Sequence, residues 1–226
     1  SHTVYEHVLR AGELAQRTPR GPTYLAVSTE TLMDEWTAPE NARTIPPAPK
    51  IQTIPSDIEK MADQLLAAKN PLVLTEAAGQ EVETYEALVG LCELLALPLI
   101  EKPGALFANF PKDHPLHQGH DVQPFWDDMD LALVIRTRVP WYPPSQRPPN
   151  ATVAIIDEEP HRASMVYQSL QADLYLEGYA ARTLQDLTKV LKRRKLDKEA
   201  IEKRRSALAK SHDELMAKRK QIDNKM

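Results

Sequence analysis

Apolar residues in the middle of the chain fall into short runs separated by stretches of a different period. Pro71 to Thr75 (PLVLT), Pro98 to Glu101 (PLIE), Leu131 to Ile135 (LALVI) and Thr152 to Ile156 (TVAII) are each strand-sized. The last two show no alternation, the signature of strands covered on both faces. Leu174 to Leu176 reads as a further short strand. Between them the period lengthens. Ile58, Met61, Ala62, Leu65 and Leu66 follow helical spacing up to Lys69, and Val82, Tyr85, Leu88, Val89 and Cys92 do so between Gln80 and Leu95. A third helix is predicted from Thr183 to about Lys195. Ser56 and Glu59 directly after Pro55 spell S-x-x-E, which predicts a capping box. Apolar strands alternating with amphipathic helices predict an α/β fold: a parallel, Rossmann-like sheet with helices on both faces.

The flanks read differently. Val4, Tyr5, Val8, Leu9, Leu14 and Ala15 place a helix over 3–16, followed by a short strand at Thr23 to Val27 (TYLAV) and a brief helix around TLMDEW. That strand has no local partner, so it is expected to belong to a sheet whose other strands lie elsewhere. Residues 37–55 contain Pro39, Pro46, Pro47, Pro49 and Pro55, a proline-rich linker. The central α/β domain is expected over 56–195. Residues 196–226 predict a charged helix in which Ile201, Leu208, Leu215 and Ile222 recur every seven residues. One apolar position per heptad is too narrow a stripe for a coiled coil, so a solvated helical connection is expected.

Composition narrows the picture. Glycine occurs only 7 times in 226 residues, against a usual frequency of about 7%, which counts against a glycine-rich phosphate loop. The single cysteine, Cys92, excludes a disulfide framework and any cysteine-built metal site. It lies on the apolar side of its helix and is expected to pack as a small hydrophobe. No apolar run approaches the roughly 20 residues that cross a bilayer, and a cytoplasmic protein is expected. The net charge of −4 is uneven: Lys192 to Met226 carry 13 Lys/Arg against 6 Asp/Glu, a net +7, leaving −11 on the rest. Basic clusters such as Lys192-Arg193-Arg194-Lys195 could meet a phosphate backbone. Interleaved acids and the lack of aromatics in the tail favour a solvated face instead, with no nucleic-acid partner.

Several segments fall in an order that resembles the thiamine-diphosphate enzymes related to acetolactate synthase and benzoylformate decarboxylase. RGPTYLAVSTETL resembles the G-P-V-Y-L-x-x-P stretch that closes their pyrimidine-binding domain. IPSDIEKMADQLLAAKNPLVLTEAAG resembles the opening of their central domain, and KPGALFANFPKDHPLHQGH the segment ending F-P-x-x-H-P-L-x-x-G. DMDLALVIRTRVPW, VAIIDEEP and LYLEGYAARTLQDL resemble the A-D-L-v-L-v-I-G-t-R, I-D-x-D-P and last strand–helix elements, so the likeness spans about 5–195. It implies a six-stranded parallel sheet. It also implies that residues 1–36 are the end of a pyrimidine-binding domain, and that 196–226 lead toward a diphosphate-binding domain. Thiamine diphosphate and magnesium would then belong to the parent enzyme, acting on 2-keto acids by forming or breaking carbon–carbon bonds, with those two domains as partners and a homo-oligomer expected. No G-D-G occurs in this sequence, and the activating glutamate of the first domain would precede it. This segment by itself is therefore expected to be non-catalytic.

In some relatives the central domain binds FAD or ADP, and the resemblance carries that role onto Gly79, Gly104, Arg138 and Asp157. Two departures stand beside those matches: Glu76 adds negative charge in the turn Thr75-Glu76-Ala77-Ala78-Gly79, and Arg136 replaces the glycine of I-G-t-R. Both crowd or repel a dinucleotide, so a structural pocket is the leading expectation, with an FAD- or ADP-binding regulatory module or a degenerate inactive relative as alternatives. His114, His117 and His120 raise a zinc hypothesis. On a helix they diverge, and on a strand the middle one faces away. Only a loop could gather them, and no metal is expected. VPWYPPSQRPPN reads as a rigid loop with Trp141 and Tyr142 packed on the body, and no G-x-S-x-G nucleophile elbow is present.

Overall fold

The computed structural model describes residues 2–18, 20–105, 107–143, 145–161 and 171–223. It contains two compact units, 1–50 and 51–226. The first holds helices α1 (His2–Gln16) and α2 (Thr29–Met33). Ser28 caps α2, its side chain accepting from the Thr31 N–H at 3.4 Å. Residues 23–27, expected as a strand, form none. Their sequence has strand character, but a strand needs a partner for its backbone groups, and among the described residues of this unit none is offered. Within the unit, Thr23 donates to the Ala11 carbonyl (3.2 Å), the Arg43 N–H to Tyr5 (2.9 Å), and Tyr5 packs on Trp36 with ring centroids 5.8 Å apart.

The second unit is built on five parallel strands: β1 (Pro71–Thr75), β2 (Leu99–Glu101), β3 (Leu131–Ile135), β4 (Thr152–Asp157) and β5 (Leu174–Glu177), in the order β2-β1-β3-β4-β5. One transverse row of the register runs Leu99, Val73, Leu133, Ala154, Leu174. The resemblance implies six strands. Among the described residues the sixth position, beside β2, is a single parallel bridge between Leu99 and His117. Leu99 N–H donates to Leu116 (2.8 Å), Gln118 N–H to Leu99 (2.8 Å) and Glu101 N–H to Gly119 (3.1 Å).

Alternate strand residues feed two cores. Val73, Leu99, Leu133 and Ile156 face α3 (Pro55–Ala67), α4 (Val82–Leu95), α5 (Ala180–Lys192) and α6 (Lys198–Asp223). Leu72, Leu74, Val134 and Ile155 face the other side, covered among the described residues by a 3-10 turn at Gln123–Phe125 and by Met129 and Trp141. Trp141 is buried edge-on to Trp126, whereas Tyr142, expected to pack with it, is 86% exposed. The expected capping box is not formed. Pro55 takes the first helical position of α3 with Ile54 as N-cap, and that places Ser56 inside the helix.

The tail is helical, as expected, but not bare. Leu208 and His212 are buried. Arg204 donates to the carbonyls of Leu95 (3.0 Å), Ala68 (3.4 Å) and Lys69 (3.1 Å), which close α4 and α3. A guanidinium at two helix C-termini satisfies orphan carbonyls and meets the negative ends of both dipoles. Among the described residues no helix is long and apolar enough to cross a membrane.

Candidate functional site

Because all strands run the same way, their C-terminal ends form one edge, and the chain reverses its direction of travel across the sheet between β1 and β3. Crevices at such a switch point are where open α/β sheets bind ligands. The edge is acidic: Glu76 follows β1, Glu101 ends β2, and Asp157 and Glu158 lie at the end of β4, all buried. Bare buried carboxylates are costly, and the structure answers most of them with a cation or with backbone donors. Glu76 accepts the Arg138 backbone N–H (2.8 Å) and its Nε (2.7 Å). This pair holds the Arg138 guanidinium above its ordinary pKa. The Glu76 charge that the sequence sets against a phosphate is therefore already matched.

Arg136 sits at φ 45°, the left-handed region in which the family pattern has glycine. Its guanidinium reaches Gln80 Oε1 (2.8 Å), Glu81 Oε2 (3.1 Å) and Glu158 Oε2 (3.6 Å). Burial pushes the Glu158 carboxyl above its usual range, with Arg136 opposing the shift. Asp157 Oδ1 accepts the Glu159 N–H at 3.0 Å and so caps its own turn. Gly79 lies in a 3-10 turn, donates to Asn109 Oδ1 at 2.9 Å, and has the Ala108 carbonyl oxygen 1.8 Å from where a Cβ would stand. A close approach of the 107–110 loop demands this glycine. Gly104 has φ 79° with open space above it.

A cavity of about 210 Å³ opens at the ends of β1 and β2, lined among others by Thr75, Lys102, His120, Thr137 and Trp141. Gly79, Gly104, Arg138 and Asp157 are not in its lining. Thr75 Oγ1 and Trp141 Nε1 are buried there without a hydrogen-bond partner among the described residues.

The three histidines separate. His114 turns to Glu93 (3.4 Å), while the donor atoms of His117 and His120 gather with Glu101, all within 4.8 Å of one another. Strand periodicity would part 117 from 120. Gly119, at φ 93°, redirects the backbone so that the two rings meet edge-to-face with centroids 5.7 Å apart. Glu101 Oε1 accepts the N–H groups of Asn109 (3.0 Å) and Phe110 (3.1 Å), and its Oε2 pairs with Lys112. Burial, then the nearby Lys112 and Arg219, lower the His117 pKa to about 4, and the same causes lower His120. Sequence reasoning missed Glu101. Its signal was an acid closing the buried run PLIE, where only a buried partner justifies a charge.

Residues 58–187 match the family profile described as thiamine pyrophosphate enzyme, central domain. The chain belongs to the thiamine pyrophosphate enzyme family. An enzyme from Mycobacterium smegmatis described as thiamin diphosphate-dependent is similar in structure, with TM-score 0.70 and 21% identity over 85% of this chain and 38% of that one. Benzoylformate decarboxylase from Polynucleobacter necessarius is similar with TM-score 0.66 and 22% identity over 82% of this chain and 36% of the other. At those identities the likeness carries the fold. The chain spans less than two-fifths of either neighbour, and its residues 58–187 correspond to the family's central domain.

Proposed function

We propose that this chain is the non-catalytic central domain of a larger thiamine-diphosphate-dependent enzyme that makes or breaks a carbon–carbon bond in a 2-keto acid or related substrate. The observation that carries the reading is the family match over 58–187 on a five-stranded parallel sheet. In this reading the cofactor and its magnesium ion are held by other domains of the parent, which are this chain's principal partners within a cytoplasmic homo-oligomer. The central domain then supplies a rigid spacer and docking faces.

Nucleotide binding at the strand-end edge is disfavoured. Arg136 is held after β3 by three partners, Glu76 is already bound to Arg138, and the strand-end cavity of about 210 Å³ falls below the roughly 300 Å³ at which ligand pockets begin. Gly79, Arg138 and Asp157 keep structural roles on this account, and Gly104 serves its turn.

Two readings of the complete protein test this. With thiamine diphosphate and magnesium it should release the carboxyl group of a 2-keto acid such as pyruvate or benzoylformate as CO2, and release or transfer the remaining acyl group. It should purify colourless, with no shift in Tm on adding ADP. Inactivity across 2-keto acids in protein that binds thiamine diphosphate would point to the degenerate relative, and stoichiometric flavin absorbance to the regulatory module.

A further inference from the structure

Glu101, His117 and His120 form a set of donors that the scaffolding role does not use. The His117 side chain is fully buried, and neither ring nitrogen has a hydrogen-bond partner among the described residues. Buried imidazoles normally find one. Its Nε2 stands 3.6 Å from Glu101 Oε2. Two donors each about 2.1 Å from a tetrahedral zinc ion lie about 3.4 Å apart, so this spacing is close to that of two ligands of one ion.

The supporting interactions are those of a ligand shell. His120 Nδ1 donates to the Glu101 carbonyl at 3.0 Å, leaving Nε2 as the free acceptor, and Glu101 Oε1 is held by two backbone N–H groups, leaving Oε2. Ligating histidines commonly give their second N–H to a carbonyl in this way. The backbone is fixed as well: His117 bridges Leu99, and its carbonyl accepts from His212 of α6 at 2.7 Å. His120 is exposed, which provides an entry path. The Lys112 ammonium lies against Glu101 Oε2, on a side chain half in solvent. Lys112 and Arg219 are the positive charges acting on the two imidazoles, with His212 beside His117.

We propose that Glu101, His117 and His120 bind one divalent transition ion of the zinc class, in exchange for the Lys112 ammonium. Lys112 withdraws to solvent as the ion enters, so one cation replaces another beside the same carboxylate oxygen. Two neutral imidazoles and a carboxylate suit zinc or cobalt far better than calcium or magnesium. Three protein donors leave a fourth position for water or an incoming ligand.

The test uses the purified protein, stripped with EDTA and dialysed, then titrated with ZnCl2 against a chromophoric chelator and with CoCl2 followed by visible absorption. One saturable equivalent and intense tetrahedral cobalt bands are expected. His120→Ala, at an exposed position, should keep its far-UV circular dichroism and lose at least tenfold in zinc affinity. Lys112→Ala should tighten binding several-fold by removing the competitor. Absence of a saturable equivalent, an octahedral cobalt spectrum, affinity unchanged in His120→Ala, or weaker binding in Lys112→Ala would each overturn the assignment. None of these readouts depends on the activity of the parent enzyme.

Discussion

Arg136 shows how a residue can be kept where its backbone disfavours it. At φ 45° a side chain costs about 1–2 kcal/mol, and the return is a cation beside Glu158, whose side chain is 5% exposed. Breaking a buried pair by removing one partner costs about 3–5 kcal/mol. Arg136→Gly should therefore destabilise by about 1–4 kcal/mol despite relieving the strain, and adding Glu158→Gln should recover most of the loss. A urea-unfolding double-mutant cycle measures this, and a single variant as stable as the parent would mean the ion pairs do no more than offset the strain. Gly79→Ala places a methyl on the Ala108 carbonyl and should cost about 3 kcal/mol or prevent soluble expression, as read by Tm. The importance of Gly79 was legible in the sequence, but its reason was not. The atom it must avoid lies about thirty residues on, in a loop that no local pattern places against it.

At the scale of elements, the helices and central strands follow the sequence closely because each helix carries its own period and each strand an unbroken apolar run. The tail shows the limit. Its single apolar position per heptad predicts a solvated helix, yet Leu208 is buried while Ile222, in the same stripe, is 60% exposed. What widens the contact is polar: Arg204 reaches carbonyls at the ends of α3 and α4, and Leu208 O accepts from Gln118 (3.1 Å). Counting apolar residues cannot see satisfied polar contacts. Leu208→Ala should cost about 2–3 kcal/mol. Arg204→Ala should cost about 2 kcal/mol, and Arg204→Lys should not restore it, because a point charge cannot span three carbonyls. Both are checked by chemical denaturation.

The edge strand β5 carries a pH-dependent tie. Asp173 pairs with Arg147 and accepts the Val153 N–H at 2.8 Å, and the Arg147 hydrogen bond leads the effects that lower its pKa below 3.8. A carboxyl with a depressed folded pKa adds stability that is present above its unfolded value and is lost as pH falls through the folded one. The pair is partly exposed, so Arg147→Ala should cost under about 1 kcal/mol at pH 7. That gap should close as the pH drops below 3.8. A gap unchanged in acid would assign the loss to packing.

For the molecule as a whole, the parallel sheet was legible because non-alternating apolar runs have few other uses, and the ordered motifs led to the family. The strand expected at 23–27 was not realised, since pairing depends on a neighbour that local sequence cannot provide. The candidate site was legible only in part. Gly79, Gly104, Arg138 and Asp157 stand along the strand-end edge or in its loops, but Glu101 and Lys112 joined the histidines through Gly119 and the long loop after β2, which periodicity arguments treat as blank. In the proposed parent enzyme a non-catalytic central domain stands beside a cofactor held elsewhere. The most direct measurement is a crystal structure of the complete protein grown with thiamine diphosphate and magnesium. The β2-β1-β3-β4-β5 parallel sheet is expected, with the cofactor bound entirely by residues outside 51–223. Thiamine diphosphate seated on the strand ends of this sheet, or these segments paired antiparallel, would contradict it.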